Sequence, residues 1–455
     1  MHGTMSAPTA VADRARSTGR LLRVLGVGFG LAVTVGNTIG AGILRAPGEV
    51  AANVPSEIIF LGIWVVGAVY ALLGAVSLAE LGAMMPRSGG QYVFARGALG
   101  EYPGFVVGWS DWISTAGSVA LNAMVIAASL GAVVPSLAPR AAMSATVVIL
   151  AFTILLWRGV RTGARAQGIT SLLKAVALLA LIAACLLFDP AAAPAVPAPD
   201  AVGGSAGAPL AKALTLGGLV VALQAVIYTY DGWTGAIYFS EEVRDPGRDI
   251  PRSMLGGVLS VAAIYLLVNL AFLHVLPMEA LASQPVAAAA VAEALFGARG
   301  DEVVNALIVV ALLSSVNALL PMAARIIYAM ADDGLFSRSA TRVNAGGTPT
   351  VALALSAGIA VAFVVTGTFN AVIARLAVFF VANYVLSFTA LFILRRRQPN
   401  AARPYRAWGY PWTTAIALGG SIAFLVATVI ADPWTSIWVA AILAASYPVF
   451  RFIRR

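Results

Sequence analysis

Apolar stretches long enough to cross a bilayer recur about twelve times along this chain, near 22–46, 57–84, 101–134, 141–157, 167–188, 211–241, 253–276, 301–331, 350–366, 371–394, 412–431 and 434–452. A span needs about 20 such residues. The stretches at 101–134 and 301–331 are long enough for tilted helices. With 60% hydrophobic residues, 11% charged residues and a mean hydropathy of +0.89, the solvent for most of this surface is lipid. The expected fold is an all-α integral membrane protein with about 12 transmembrane helices.

The net charge of +9 would suit nucleic acid if it were clustered on one soluble face, but its distribution fits a membrane instead. An even number of spans puts both termini on one side. All but six of the 29 basic residues then share that side, the exceptions being Arg45, Arg140, Lys212, Arg299, Arg375 and the intramembrane Lys174. By the positive-inside rule that side is the cytoplasm, which predicts a multi-pass protein of the plasma (inner) membrane with both termini cytoplasmic. Residues 1–20 lack the apolar core of a signal peptide and read as a disordered cytoplasmic tail. The single cysteine, Cys185, lies within a span, so no intrachain disulfide can form. Two histidines, His2 and His274, are too few for a histidine-based metal site. The reading is therefore no enzyme, no cofactor, no metal and no nucleic-acid partner.

Residues 189–209, rich in Pro, Ala and Gly, read as a flexible external loop. This loop divides the chain into a first set of five spans (22–188) and a second (210–394), preceded by the tail at 1–21 and followed at 395–455 by two additional helices and a basic cytoplasmic C-terminus. An odd number of spans in each set gives the halves opposite orientations, an inverted repeat. Residues 86–100, which mix turn residues with a short amphipathic piece, read either as a surface loop or as a helix on the inner membrane face that moves with gating.

The first span of each set is interrupted. Gly36-Asn-Thr-Ile-Gly-Ala-Gly-Ile43 places three glycines at mid-depth, where each costs roughly 1 kcal/mol relative to alanine and freed backbone groups cost more unless something satisfies them. Unwinding at 38–42 exposes the N–H groups of Ala41, Gly42 and Ile43 at the start of the outer half-helix, a site suited to a carboxylate. Small residues at 40–42 let a ligand approach the backbone. The competing reading is a Gly-xxx-Gly packing face, for which Gly36 and Gly40 have the spacing. The second interruption is Tyr228-Thr-Tyr-Asp-Gly-Trp-Thr-Gly235. Its freed carbonyls at Tyr228, Thr229 and Asp231 point to a cationic partner, so the two breaks together match the two ends of an amino-acid zwitterion. Tyr228 or Tyr230 is placed to close over a ligand, or else to serve as a packing or belt aromatic. Asp231 is a costly intramembrane acid that faces either a ligand or loose backbone N–H groups at the break, and Gly232 beside it is counted among the substrate-binding residues.

Lys174 lies about seven residues into its span, roughly 10 Å by helical rise. It reads either as a side chain snorkelling to the cytoplasmic edge or as a fixed cation that links span 5 to the unwound part of span 1, where a sodium ion would otherwise sit. The charged run Glu241–Arg252 suits a solvated loop or gate ion pairs, with Asp332 and Asp333, after Arg325, as candidate partners.

Gly40-Ala-Gly-Ile43 with Arg45-Ala-Pro-Gly48, Pro86-Arg-Ser-Gly-Gly-Gln-Tyr92, Tyr230-Asp-Gly-Trp233 and Glu241-Glu through Pro251-Arg252 together resemble the amino acid–polyamine–organocation superfamily, especially its L-amino acid transporter branch. Ala41 stands where a serine is common in that family, and Lys174 matches a fifth-helix lysine of members that do not use sodium. The resemblance covers about 22–400. It implies a leucine-transporter-like five-plus-five inverted repeat working by alternating access. The substrate carboxylate would lie on Ala41 and Gly42, and its amine on carbonyls of Thr38, Ile39, Tyr228, Thr229 and Asp231. Ser118, Asn122, Asn317 and Asn383 would be selectivity candidates on spans 3, 8 and 10. Some animal relatives pair with a glycoprotein through a cysteine between spans 3 and 4; residues 135–140 have none, so no such subunit is expected, only a monomer or weak homodimer among membrane lipids.

The resulting expectation is a secondary active permease for neutral L-amino acids that is sodium-independent and works by exchange or proton symport, with a cationic amino acid or a polyamine as the alternative substrate. A channel would need a continuous polar pore and has no use for two facing helix breaks. A membrane sensor would carry a soluble domain.

Overall fold

The computed structural model describes residues 21–189 and 214–453 apart from 285, 368 and 432; the expected tail at 1–20 and most of the loop at 189–209 lie outside them. The described residues are almost entirely helical. They contain α1 (Val27–Thr38), α2 (Gly42–Asn53), α3 (Glu57–Met84), α4 (Gln91–Leu99), α5 (Glu101–Val133), α6 (Ala141–Trp157), α7 (Val160–Leu187), α8 (Leu216–Thr229), α9 (Pro246–Val275), α10 (Met278–Ala282), α11 (Ala287–Phe296), α12 (Gly300–Asp332), α13 (Thr350–Thr366), α14 (Phe369–Arg397), α15 (Trp412–Ala431) and α16 (Pro433–Ile453). Extended pairing is limited to two isolated bridges, Leu25 with Val243 and Val343 with Pro349.

Local chemistry explains where several helices start. Ser56 caps α3 by accepting from the Ile59 N–H, and Thr215 caps α8 by accepting from the Gly218 N–H at 3.0 Å. Pro246 opens α9 at the position where a missing N–H costs nothing. At about 1.5 Å per residue, the 33 residues of α5 and of α12 exceed the ~30 Å hydrocarbon core, as expected for tilted helices. Outward-facing leucines and isoleucines, such as Ile169 and Leu172 of α7, are exposed on the isolated chain because lipid is their solvent.

Eight described helices are long and apolar enough to span a membrane, nine when α1 and α2 are taken as one bent span. The expected count was about twelve, and the three remaining stretches explain the difference. Span 6 is divided into the 14-residue α8 and a 3₁₀ segment, Trp233–Glu242. Next, α13 has 17 residues, roughly 25 Å of rise. Of the last stretch, the apolar part identified is Leu443–Ile453.

Inside the bundle α5 runs along α12, α3 along α9, and α1 against α9 and α7. Both expected breaks are present. The axes of α1 and α2 differ by 48° across residues 39–41. In the second break Gly232 takes φ +111°, and the following ten residues wind as a 3₁₀ helix, far longer than the three or four residues usual for that conformation. The 86–100 region resolves in favour of a helix, α4, whose Tyr92, Phe94 and Ala95 are buried.

Candidate functional site

The two breaks buttress one another. The Asn37 side-chain amide donates to the Gly232 carbonyl at 3.1 Å. A β-carbon on Gly232 would lie 2.9 Å from the Asn37 carbonyl carbon and from the Thr38 nitrogen, so only glycine gives both the positive φ and the close approach. On the other side of the contact, a β-carbon on Gly42 would meet the Thr229 hydroxyl at 3.1 Å. The buried Tyr265 hydroxyl closes the pair, reaching the Thr38 carbonyl at 2.9 Å and the Thr229 carbonyl at 3.0 Å. Among the described residues the N–H groups of Gly40, Ala41, Gly42 and Ile43 meet no protein acceptor. They form the unpaired, partly positive start of α2.

A cavity of about 500 Å³ opens beside these groups. Of the residues singled out from the sequence, Thr38, Gly40, Ala41, Gly42, Tyr228, Thr229, Asp231, Gly232, Ser118 and Asn122 line it. Several others do not. Ile39 and Ile43 are fully buried in the core, and the Ile39 carbonyl faces away to Lys174. Tyr230 is no lid: its ring packs against Tyr265 (4.9 Å between centroids) and Trp64 (6.2 Å) because apolar aromatic surface is better buried there than held over water. Asn317 donates to the Gly163 carbonyl and to Gln167 Oε1, tying α12 to α7. Asn383 accepts from the Ser110 hydroxyl, tying α14 to α5. Both amides serve helix packing rather than the cavity. The second break also frees fewer carbonyls than expected: Tyr228 O accepts from the Asp231 N–H, and Thr229 O from Tyr265.

The cavity has further polar walls that the sequence reading passed over. Gln91, Thr115, Thr234, Tyr238, Ser315 and Tyr384 all contribute. Tyr384 stacks on Trp233 and donates its hydroxyl to the Asp231 carboxylate. Beneath the floor, fully buried Asp111 accepts from the Tyr238 hydroxyl at 2.8 Å. Asp111 was legible by the rule already applied to Asp231, since an acid inside an apolar span is a functional candidate by default.

Lys174 does not snorkel. It is 1% exposed, and its ammonium donates to the Gly36 carbonyl at 2.7 Å and the Ile39 carbonyl at 2.5 Å, with Ser315 Oγ at 3.5 Å. Those carbonyls end α1, where the helix dipole favours a cation. Alongside, Ser171 and Gln167 of α7 both donate to the Ala32 carbonyl. Gly36 faces the side chains of Gln167, Ser171 and Ser314, leaving no room for a β-carbon, whereas Gly40 borders the cavity. The first break thus has one packed glycine and two at the cavity.

The two ends of the bundle differ. On the far side from Leu21–Leu25 the cavity is bordered by Arg45 and Glu49, both exposed, and a second hollow of about 350 Å³ continues between them and Ala282 and Gln284. At the end holding Leu25, contacts close it. Arg325 and Glu242 form a buried two-bonded ion pair at 2.7 and 2.8 Å. Arg87 reaches Asp332 at 3.2 Å and Asp333 at 2.9 Å, Arg96 reaches Asp333 at 3.3 Å, and Tyr92 donates to Asp333 at 2.9 Å. Backbone bonds between Leu25 and Glu242 and between Arg244 and Leu25, each 2.9 Å, complete the seal. The expected gate partners are therefore re-sorted: Arg325 pairs with Glu242, and Asp332 and Asp333 pair with Arg87, with Arg96 joining at Asp333.

Comparison with known proteins agrees with this geometry. The family model described as amino acid permease matches residues 29–449. The serine/threonine exchanger SteT of Bacillus subtilis is 26% identical over 440 residues, covering 94% of this chain and 96% of that protein. The b(0,+)-type amino acid transporter 1 of Mus musculus is 26% identical over 444 residues, covering 96% and 88%. The large neutral amino acids transporter small subunit 2 of the same species is 27% identical over 304 residues, covering 63% and 54%. The relatives named are transporters and not enzymes, and this multi-pass membrane protein belongs to the amino acid permease family.

Proposed function

We propose that the permease moves neutral L-amino acids by alternating access without sodium. The observation that carries this reading is the meeting, in one cavity of about 500 Å³, of the unpaired N–H groups of Gly40–Gly42 with Asp231 of the second break. The substrate carboxylate rests on the N–H groups of Ala41 and Gly42, and the amine on oxygens at Thr38 and Asp231. Ser118 and Asn122, with Tyr228 as the mobile aromatic, meet the side chain. The Lys174 ammonium fixes the end of α1 in place of a metal ion. The inverted repeat of 22–188 and 210–394 supplies the two moving halves, and the end bearing Arg87, Asp332 and Asp333 is cytoplasmic, so this conformation faces outward. No disulfide-linked subunit is needed, since Pro135–Arg140 carries no cysteine.

A second reading, a cationic amino acid or polyamine substrate, is favoured by one observation: Asp231 borders the cavity. Purified protein in liposomes decides between them. Radiolabelled uptake is followed against each of the twenty amino acids inside, with external sodium replaced by choline in a parallel series. Uptake of neutral amino acids at undiminished rate in choline is the expected result. A sodium requirement would overturn the role given to Lys174, and uptake of lysine or putrescine alone would select the cationic reading.

A further inference from the structure

Asp111 is a buried carboxyl that the substrate site does not use. It sits on α5 with no solvent exposure, and one oxygen accepts from the Tyr238 hydroxyl while the other, Oδ1, has no partner. No cation neutralises it among the described residues. Arg325 is held by Glu242, Arg87 and Arg96 by Asp333, and Lys174 by the Gly36 and Ile39 carbonyls. The charged group whose field reaches Asp111 is another acid, Asp231, which is itself held by Tyr384; Gln91 of α4 faces the same Tyr238 hydroxyl. A carboxylate that meets only the neutral hydroxyls of Tyr238 and Thr115 and no counter-charge is costly to keep dry, and a proton removes that cost.

Its position gives the proton a route. Thr115, one turn along α5, stands beside the carboxyl and lines the cavity, as do Tyr238 and Gln91. Asp111 is thus one residue beneath a floor wetted from the outer end. Tyr238 lies on the 3₁₀ segment that ends in the Glu242–Arg325 pair closing the inner end. An opening that displaces this segment takes with it the Tyr238 hydroxyl, which donates to Asp111 at 2.8 Å.

We infer that Asp111 is the proton site of this permease: it takes a proton from the outward-open cavity, carries it through the transition and releases it to the inner side as Tyr238 returns. In the step, an O–H bond forms on the carboxylate from external water-borne acid and breaks to internal water, so one positive charge moves inward with each substrate. This deepens the proposed function by choosing proton symport over obligatory exchange, and it rests on that reading.

The test uses the full chain in proteoliposomes. Wild type should accumulate substrate in empty vesicles under an inward proton gradient and alkalinise a weakly buffered outside by one proton per substrate. Asp111→Asn should lose accumulation by tenfold or more yet keep counterflow exchange. Wild-type exchange that ignores the pH gradient would overturn the inference while leaving the amino acid permease reading intact, as would accumulation by Asp111→Asn equal to wild type. Should Asp111→Asn lose exchange too, Asp111→Glu must restore accumulation where asparagine does not; equal failure of both overturns the assignment.

Discussion

Replacing Glu242 by leucine leaves the Arg325 guanidinium buried without its counter-charge. In the structure Arg325 is 3% exposed and Glu242 is fully buried, and two of the guanidinium nitrogens go to the carboxylate. What remains to Arg325 is the Pro321 carbonyl at 3.0 Å and the face of Phe239 at 4.5 Å. Removing one partner of such a pair costs about 3–5 kcal/mol, whereas replacing both by apolar residues of similar volume is often neutral or better. With about 2.1 cal/mol/K of unfolding entropy per residue, the 455 residues give roughly 1 kcal/mol/K. Glu242→Leu should then lower the melting temperature by about 3–5 °C. The double variant Glu242→Leu/Arg325→Met should melt within about 1 °C of wild type or above it. The nine tryptophans supply the fluorescence signal for melts in lipid nanodiscs. A double variant that melts as low as the single one would refute the reasoning, because the loss would then come from packing rather than from an unpaired charge.

Three other outcomes follow from the breaks. Gly42→Trp should abolish uptake while the protein still inserts and purifies normally, because the added ring collides with Thr229 and fills the cavity; normal uptake would remove the first break from the site. Gly232→Ala should reduce the uptake rate at least tenfold, since a β-carbon adds about 1–2 kcal/mol of backbone strain to the collision with Asn37 and Thr38; unchanged initial rates would show that the breaks tolerate separation. Lys174→Ala should lower transport strongly by freeing the Gly36 and Ile39 carbonyls, and unaltered kinetics in liposomes would show the ammonium to be dispensable.

Both breaks were legible because they violate the rules of their surroundings. Glycines in an apolar span call for either a close helix contact or a ligand, and an acid there is costly, so Gly40–Gly42 and Asp231 stand out in the sequence. Lys174 stood out for the same reason, but its acceptors did not, because they depend on which carbonyls α1 leaves open at its end. Amides such as Asn317 and Asn383 bridge helices in the structure: a sequence shows that a polar side chain is inside the membrane, not whether a neighbouring helix offers it a partner. Tyr230 and Tyr228, two residues apart at the helical end of α8, face opposite surroundings because two residues advance more than half a turn around the axis. Asp111 was visible and passed over. The pairing of Arg325 with Glu242 joins residues 83 positions apart, and no local pattern encodes it. The interruption of span 6 is legible from Tyr228–Gly235, but not how far it unwinds: the ten residues after Gly232 wind as a 3₁₀ helix.

The closed end has two layers that answer differently to the surrounding electrolyte. The Arg87–Asp332 contact is on the surface, with side chains 39% and 58% exposed; at about 0.15 M salt the screening length is ~8 Å, and such a pair is worth at most about 1 kcal/mol. The Arg325–Glu242 pair lies where mobile ions do not reach. Raising ionic strength should therefore loosen the outer layer and leave the deeper one intact, so the end yields in stages, and the concentration of ions at the membrane surface sets how readily the first stage gives way.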